Sequence, residues 1–217
     1  MLKQLLSVFL ESHCEFCQRT TVDTLCEYCF LRLASHQLSK CDRLKLYKLK
    51  SVFAWGRYDG QLKRAIALMK YQNQPEIGNL LGTQLGLAWI DSKLAKLPHQ
   101  ITVVPIPMHP KKQKERGFNQ AEIIAKSFCR ITGYQKSGRV LVRTRETEAM
   151  FNLNSRTERA KNLQGALQVD RIPKYPVLLI DDIYTTGTTV NEAVKILQQK
   201  KIKVIGVAVA AKAGMSM

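Results

Sequence analysis

From residue 51 onward, short stretches that are apolar at nearly every position alternate with longer ones in which apolar residues recur every third or fourth place. Ser51–Tyr58 predicts a strand, and Leu62, Ala65, Ile66 and Met69 follow at the spacing of a helix buried along one side. A second helix carries Ile77, Leu80, Leu81, Leu85 and Ala88. Ile101–Ile106 is an apolar run closed by Pro107 and Pro110, and the next helix puts Ala121, Ile124, Ala125 and Phe128 on one face. Val140–Val142 reads as a short strand, Tyr175–Ile180 as a buried one, Val190, Ala193, Val194 and Leu197 as a helical stripe, and Val204–Ala210 as a last buried strand. Strands that are apolar on both sides and separated by amphipathic helices predict an α/β fold, a doubly wound, mostly parallel sheet.

The first fifty residues lack this pattern and carry cysteines instead. Cys14, Cys17, Cys26 and Cys29 form two C-x2-C knuckles eight residues apart, a spacing that completes a tetrahedral set of four sulfurs around one ion. The expected ion is structural Zn2+, because four thiolates leave no open position for chemistry. So short a module buries too little surface to fold alone, and metal binding is expected to contribute on the order of 10–16 kcal/mol to its folding. Cys129, in an apolar helical stretch, is expected to be a packed thiol; Cys41 has no assignment. From His36 to Lys50 runs a linker with Lys40, Arg43, Lys45, Lys48 and Lys50, either a solvated strip or the edge of an anion-binding surface. The expected division is residues 1–50 as cysteine module and linker, and 51–217 as the larger domain.

Length, 217 residues and 24.7 kDa, allows one α/β core and a small appendage. With 45% hydrophobic and 24% charged residues, neither a disordered nor a membrane-spanning chain is indicated. Met1–Glu11 is followed by no small-residue cleavage site, so the expectation is a cytoplasmic protein with reduced thiols and no membrane span. Charge adds one thing: 34 Lys and Arg against 17 Asp and Glu, a net +17, predict a polyanionic partner.

The densest chemistry lies in Val177–Thr189, VLLIDDIYTTGTT. An apolar strand is expected to end in Asp181 and Asp182 and to turn into a helix starting near Thr188. Ligands of open α/β sheets bind at the carboxyl ends of strands. The turn offers backbone amides, the hydroxyls of Thr185, Thr186, Thr188 and Thr189, and a helix N-terminus to a phosphate, with Gly187 permitting a positive φ. A phosphorylated sugar suits both halves, its diol on the acids and its phosphate on the turn. The thirteen residues resemble the phosphoribosyl pyrophosphate motif of type I phosphoribosyltransferases. Together with VPIPMHP (104–110), RGFNQA (116–121), the stretch 143–163 and the paired cysteines, they resemble the ComF family of ComFC-type competence proteins over nearly the whole chain.

That resemblance implies a phosphoribosyltransferase-like domain behind a zinc module, handling of incoming single-stranded DNA in the cytoplasm, and Mg2+ arriving on the oxygens of phosphoribosyl pyrophosphate. It implies that the sugar diphosphate is held by Asp181, Asp182, the Thr185–Thr189 turn, Met108, Lys111 and Arg116. Asp181, Asp182 and Arg145 would be the catalytic set, the arginine lying in a mobile loop that closes over the ligand. Where the family pattern has a Gln three residues after a Thr, this chain has Met150 after Thr147. Between Met108 and Lys161 stand 13 Lys and Arg against 5 Asp and Glu, and Lys111, Lys112, Lys114, Arg143, Arg156 and Arg159 are the expected contacts to a nucleic-acid backbone. Phe118, Tyr134 and Phe151 are candidates for base stacking, Phe118 equally for the core. Asn119 reads as a helix cap and Arg116 as either structural or ligand-facing. His13, His36, His99 and His109 are scattered, and no acid–base pair for activating an acceptor is evident. Three functions follow: a ligand-binding protein of DNA uptake, an active phosphoribosyltransferase acting on a base or amine, and a zinc-ribbon module that docks a competence helicase.

Overall fold

The computed structural model describes residues 12–47, 50–92, 100–146 and 165–214. Thr147, Met150, Phe151, Arg156, Arg159, Lys161 and His99 lie outside them. Six strands form one sheet in the order β1 (Leu44–Tyr47), β2 (Lys50–Arg57), β8 (Val204–Lys212), β7 (Val177–Tyr184), β3 (Thr102–Pro105) and β4 (Gln135–Lys136). The β1–β2 pair is antiparallel and every other pair in this sheet is parallel. β5 (Leu141–Arg143) and β6 (Leu167–Val169) make a separate antiparallel ladder. The helices are α1 (Glu27–Ala34), α2 (Gly60–Tyr71), α3 (Pro75–Asp91), α4 (Pro110–Arg116), α5 (Gln120–Thr132) and α6 (Thr188–Gln199).

The all-apolar strands have a physical reason: both faces of the sheet are covered. Leu178 and Ile180 of β7 share a core with Phe53, Trp55, Val103 and Ala208, closed by the apolar stripes of α2, α3 and α5. Val177 and Leu179 point the other way, into a core with Val52, Val104 and Val207, closed by α6 and by Leu141 and Leu167 of the small ladder. The doubly wound α/β reading therefore holds.

Three local features depart from the sequence reading. The basic linker supplies the edge strand β1, and its Arg43 is buried, donating from Nε to the Leu38 carbonyl at 3.1 Å and from Nη1 to Asp91 at 3.0 Å. Arg43 ties the segment to the end of α3 and is neither solvated nor open to anions. The Pro-bounded basic loop after β3 is helix α4, with Pro110 at its first position, His109 Nδ1 accepting from the Lys111 amide, and Gly117 closing it at φ +85°. PKKQKER contains no apolar residue, so it has no hydrophobic period to read. Tyr134, offered for stacking, is partly buried against the α3–α5 core, where the Trp89 indole N–H donates to its hydroxyl at 3.4 Å; Phe118, offered equally for stacking and for the core, packs against the core as well.

α3 and α5 cross at close range because α3 presents Gly78, Gly82 and Gly86 one turn apart. A Cβ at Gly86 would stand 2.8 Å from Ile131 Cβ, one at Gly78 would stand 2.9 Å from Ile123 Cγ2, and one at Gly82 would press into the Ile124 carbonyl oxygen. Gly82→Ala gains about 1 kcal/mol of helix propensity but must separate two helix backbones, at a cost of about 1–3 kcal/mol. The expected result is a net loss of stability in urea unfolding; a variant as stable as the parent would show that the two helices have room to spare.

Candidate functional site

β7 lies between β8 and β3, and its ladder with β8 continues past the acids: Asp181 pairs with Val209, Ile183 with Ala211 and Tyr184 with Lys212. The strand thus runs on to Tyr184 rather than ending at Asp181 and Asp182. Successive side chains of a strand point to opposite faces, so the two adjacent carboxyl groups diverge. Asp182 follows Leu178 and Ile180 toward α2 and forms an ion pair with Lys70 Nζ; both side chains are mostly buried, 11% exposed for Asp182 and 20% for Lys70. Asp181 follows Val177 and Leu179 toward the small ladder, where its charge acts on the half-buried guanidinium of Arg143. Asp181 Oδ1 also accepts from the Asp182 amide at 2.9 Å.

Burial pushes the Asp181 carboxyl up to about 8, the Asp182 charge adding to it and the Asp182 amide and Lys70 opposing it. Burial alone would lower the Lys70 ammonium, yet Asp182 more than offsets this and holds it above its ordinary value. Tyr58, on which the charges of Lys70 and Asp182 also act, is raised chiefly by burial. The two acids are thus set apart, Asp182 held by a lysine and Asp181 pushed by burial toward its neutral form. This removes most of the repulsion that two bare carboxylates would exert on an anionic ligand.

Beyond β7 the chain turns through Thr185 and Thr186, both exposed, to Gly187, whose φ of +73° only glycine adopts readily. Thr186 Oγ1 and Thr188 Oγ1 lie 2.8 Å apart, and α6 starts at Thr188 as predicted. Asp181, Thr185, Thr186, Gly187, Thr188 and Thr189 line one small cleft. A Cβ on Gly187 would run into the Tyr184 hydroxyl, so the phenol stands against the inner side of the turn.

The remaining sequence candidates are spread around this centre. Met108 is half-buried between β3 and α4. Lys111 is exposed and bonds Glu146 at 3.3 Å; Lys114 is exposed, and Lys112 partly so. Arg116 lies with its guanidinium 5.9 Å from the centre of the Tyr71 ring. Asn119 caps α5 by accepting from the Ala121 amide at 3.1 Å and braces β3 by donating to the Ile106 carbonyl at 3.0 Å. Arg145 is exposed, whereas Arg143, expected on a nucleic-acid surface, faces Asp181 instead. Lys70 and Tyr58 went unnoticed in the sequence. Lys70 follows the α2 stripe like any solvated helix-end lysine, and only the fold brings it to a strand more than a hundred residues away.

At the other end of α2 sits the cysteine cluster. Zinc bonded to four sulfurs at about 2.3 Å would set them about 3.8 Å apart. The four sulfurs here lie within 4.8 Å of one another, with Cys17 and Cys26 at 3.6 Å. Burial raises the Cys14 thiol, but the amides of Cys26, Cys17 and Phe16 overcome this and bring it to about 6; burial and its neighbouring thiols push Cys29 to about 12. A divalent cation stabilises all four as thiolates, so the donor set fits zinc. Cys14, Phe16, Leu25, Cys29 and Leu33 belong to the same core as Trp55 and Leu62. Arg64 of α2 donates to the Phe16 carbonyl at 2.7 Å and lies over the Phe16 ring. Cys129 is partly buried, its thiol raised to about 11 by burial, as expected of a packed group. Among the described residues no helix is long and apolar enough to cross a membrane.

Residues 116–216, which contain β7, the turn and α6, match the phosphoribosyl transferase domain family. Competence protein F of Haemophilus influenzae is 32% identical over 159 residues, spanning 70% of this chain and 68% of that protein. The DNA utilization protein YhgH of Escherichia coli K12 is 29% identical over 85% of this chain and 83% of its own. Competence protein ComFC of Bacillus subtilis is 26% identical over 73% of this chain and 61% of its own. The chain belongs to the competence protein F family and carries the phosphoribosyl transferase domain match over residues 116–216.

Two outcomes are expected. Chelating zinc from the loaded protein lowers the thermal midpoint of the whole chain, since the cysteine cluster and the α2 core are one packed unit; an unchanged melt would place the metal outside the fold's energetics. For Asp181, whose folded pKa lies above the unfolded value of about 3.9, the native state holds the extra proton. Its contribution is thus full below about pH 4 and declines as pH rises toward 8. Asp181→Asn, with zinc bound, is expected to flatten this decline and gain on the parent by about 1.4 kcal/mol per pH unit, on the order of 3–4 kcal/mol between pH 5 and pH 8. Parallel pH–stability curves in urea would show that Asp181 is already ionised.

Proposed function

We propose that this protein binds phosphoribosyl pyrophosphate with magnesium, and single-stranded DNA, in the cytoplasm as part of DNA uptake or use. The observation that carries the reading is Asp181 and Asp182 near the carboxyl end of a central parallel strand, which leads through Tyr184 and two threonines into a positive-φ glycine turn and α6. The ribose hydroxyls go to the two acids, and the 5′ phosphate to the amides and hydroxyls of Thr185–Thr189. Met108, Lys111 and Arg116 lie on the diphosphate side, and Arg145 is a further cation for the departing charge. Magnesium is held by ligand oxygens and keeps most of its waters, since Asp182 is already engaged by Lys70. Lys111, Lys112 and Lys114 on α4 meet the phosphates of a strand without reading sequence, and Arg156 and Arg159 extend the same set. The names of the relatives, competence and DNA utilization proteins, support the pathway.

A second reading, ribosyl transfer to a base or amine, draws on one feature: burial pushes the Asp181 carboxyl up to about 8, into the range of a general acid or base. Acceptor-dependent release of pyrophosphate, lost in the Asp181→Asn, Asp182→Asn double variant, is its signature. The docking of a competence helicase has no such observation behind it.

Calorimetry decides the first reading. Phosphoribosyl pyrophosphate with magnesium is expected to bind the parent and to lose at least about tenfold in Gly187→Val, whose β-branched side chain is strained at this φ and collides with Tyr184. An oligothymidylate is expected to bind with a log–log salt slope of about −0.7 per phosphate neutralised. Equal affinity in parent and variant would move the ligand elsewhere, and a strand that binds equally well at all salt concentrations would remove the nucleic acid.

A further inference from the structure

The cation nearest the two acids is one that neither the motif nor the family match assigns. Lys70 ends the buried stripe of α2 formed by Leu62, Ala65, Ile66 and Met69, so the packing of that helix fixes where its side chain leaves. The ammonium meets the carboxylate of Asp182, with Asp181 of the same strand and the phenols of Tyr58 and Tyr71 also acting around this cluster, while Arg143 reaches Asp181 from the opposite face of the sheet. Solvent-exposed pairs of this kind are worth little, but here both partners are mostly buried. Buried ion pairs rarely outdo well-packed apolar residues in stability. A charged pair one residue along the strand from the acid that lines the Thr185–Thr189 cleft is therefore better explained by what it does to the two acids.

We propose that Lys70 is a positioning residue of the sugar site: its ammonium holds the Asp182 carboxylate beside the cleft-lining Asp181 and supplies the counter-charge that lets two adjacent carboxyl groups receive an anionic sugar phosphate. The inference rests on the sugar-phosphate reading above and names a residue through which that site acts. Lys70 orients the acid that meets the ribose, and its partner is Asp182 whether the sugar carries a diphosphate or a hydroxyl at its first carbon.

The test uses the zinc-loaded full chain with two probes, phosphoribosyl pyrophosphate and ribose 5-phosphate, each with magnesium. Lys70→Gln is expected to weaken both by the same factor, about 10- to 100-fold, and Lys70→Arg to recover most of the loss. Because Lys70 opposes the upward push on Asp181, carbon-13 NMR of the Asp181 carboxyl is expected to show its midpoint rising further in Lys70→Gln and returning in Lys70→Arg. If Lys70→Gln folds poorly, Lys70→Met is read in the same way. Weakening of the diphosphate alone would make Lys70 a ligand contact and overturn the proposal. So would unchanged or tighter binding of both probes, which would make Lys70 a bystander or a competitor. A parent that binds neither probe overturns the sugar-phosphate reading and this inference together, whereas a parent that binds both beside an equally good Lys70→Gln overturns only the inference.

Discussion

The alternation of a β-strand governs this molecule. Because neighbours on β7 must face opposite sides of the sheet, Asp181 and Asp182 cannot share a partner, and each is met by an element from its own side. α2 brings Lys70 to Asp182, and the small ladder brings Arg143 close enough for the Asp181 charge to act on it. The two acids thus lie at a junction of three elements, β7, α2 and the small ladder, whose relative positions are set by the two cores above and below the sheet. Burial on both sides also separates the two carboxyl groups chemically, one paired with a cation and one pushed toward its neutral form.

The same packing joins the cysteine segment to the larger fold. Phe16, Leu25 and Leu33 lie in one core with α2, and Arg64 grips Phe16 through its carbonyl and its ring. Residues 44–47 extend the sheet, and Arg43 anchors the approach to them on α3. The segment before residue 50 is therefore packed onto the α/β body and continuous with it, which explains how so small a cluster keeps its four sulfurs together.

What the sequence made legible is what repeats or runs continuously. The apolar strands, the stripes of α2, α3, α5 and α6, the paired knuckles and the run from Val177 to Thr189 each carry their signal within a dozen or so residues, and each appears in the fold, with β7 running past the two acids to Tyr184. What stayed hidden depends on contacts between distant segments or on caps. Lys70 acquires meaning only opposite Asp182, and Arg143 was grouped with backbone-binding cations because its neighbours are basic. α4 is made by His109, Pro110 and Gly117 around a wholly polar interior, and β1 is a basic stretch recruited by the edge of β2. The glycines of α3 were in plain view, but their spacing matters only once α5 lies against them.

The flanks of the sheet are both abbreviated. One is the four-residue β1, which runs against its neighbour, and the other is β4, two exposed residues long. Neither offers the long row of free amides and carbonyls that strand-by-strand annexation by another chain requires. Recognition by this protein accordingly falls to side chains and to the cleft mouth, where a ligand can be exchanged without remodelling the backbone.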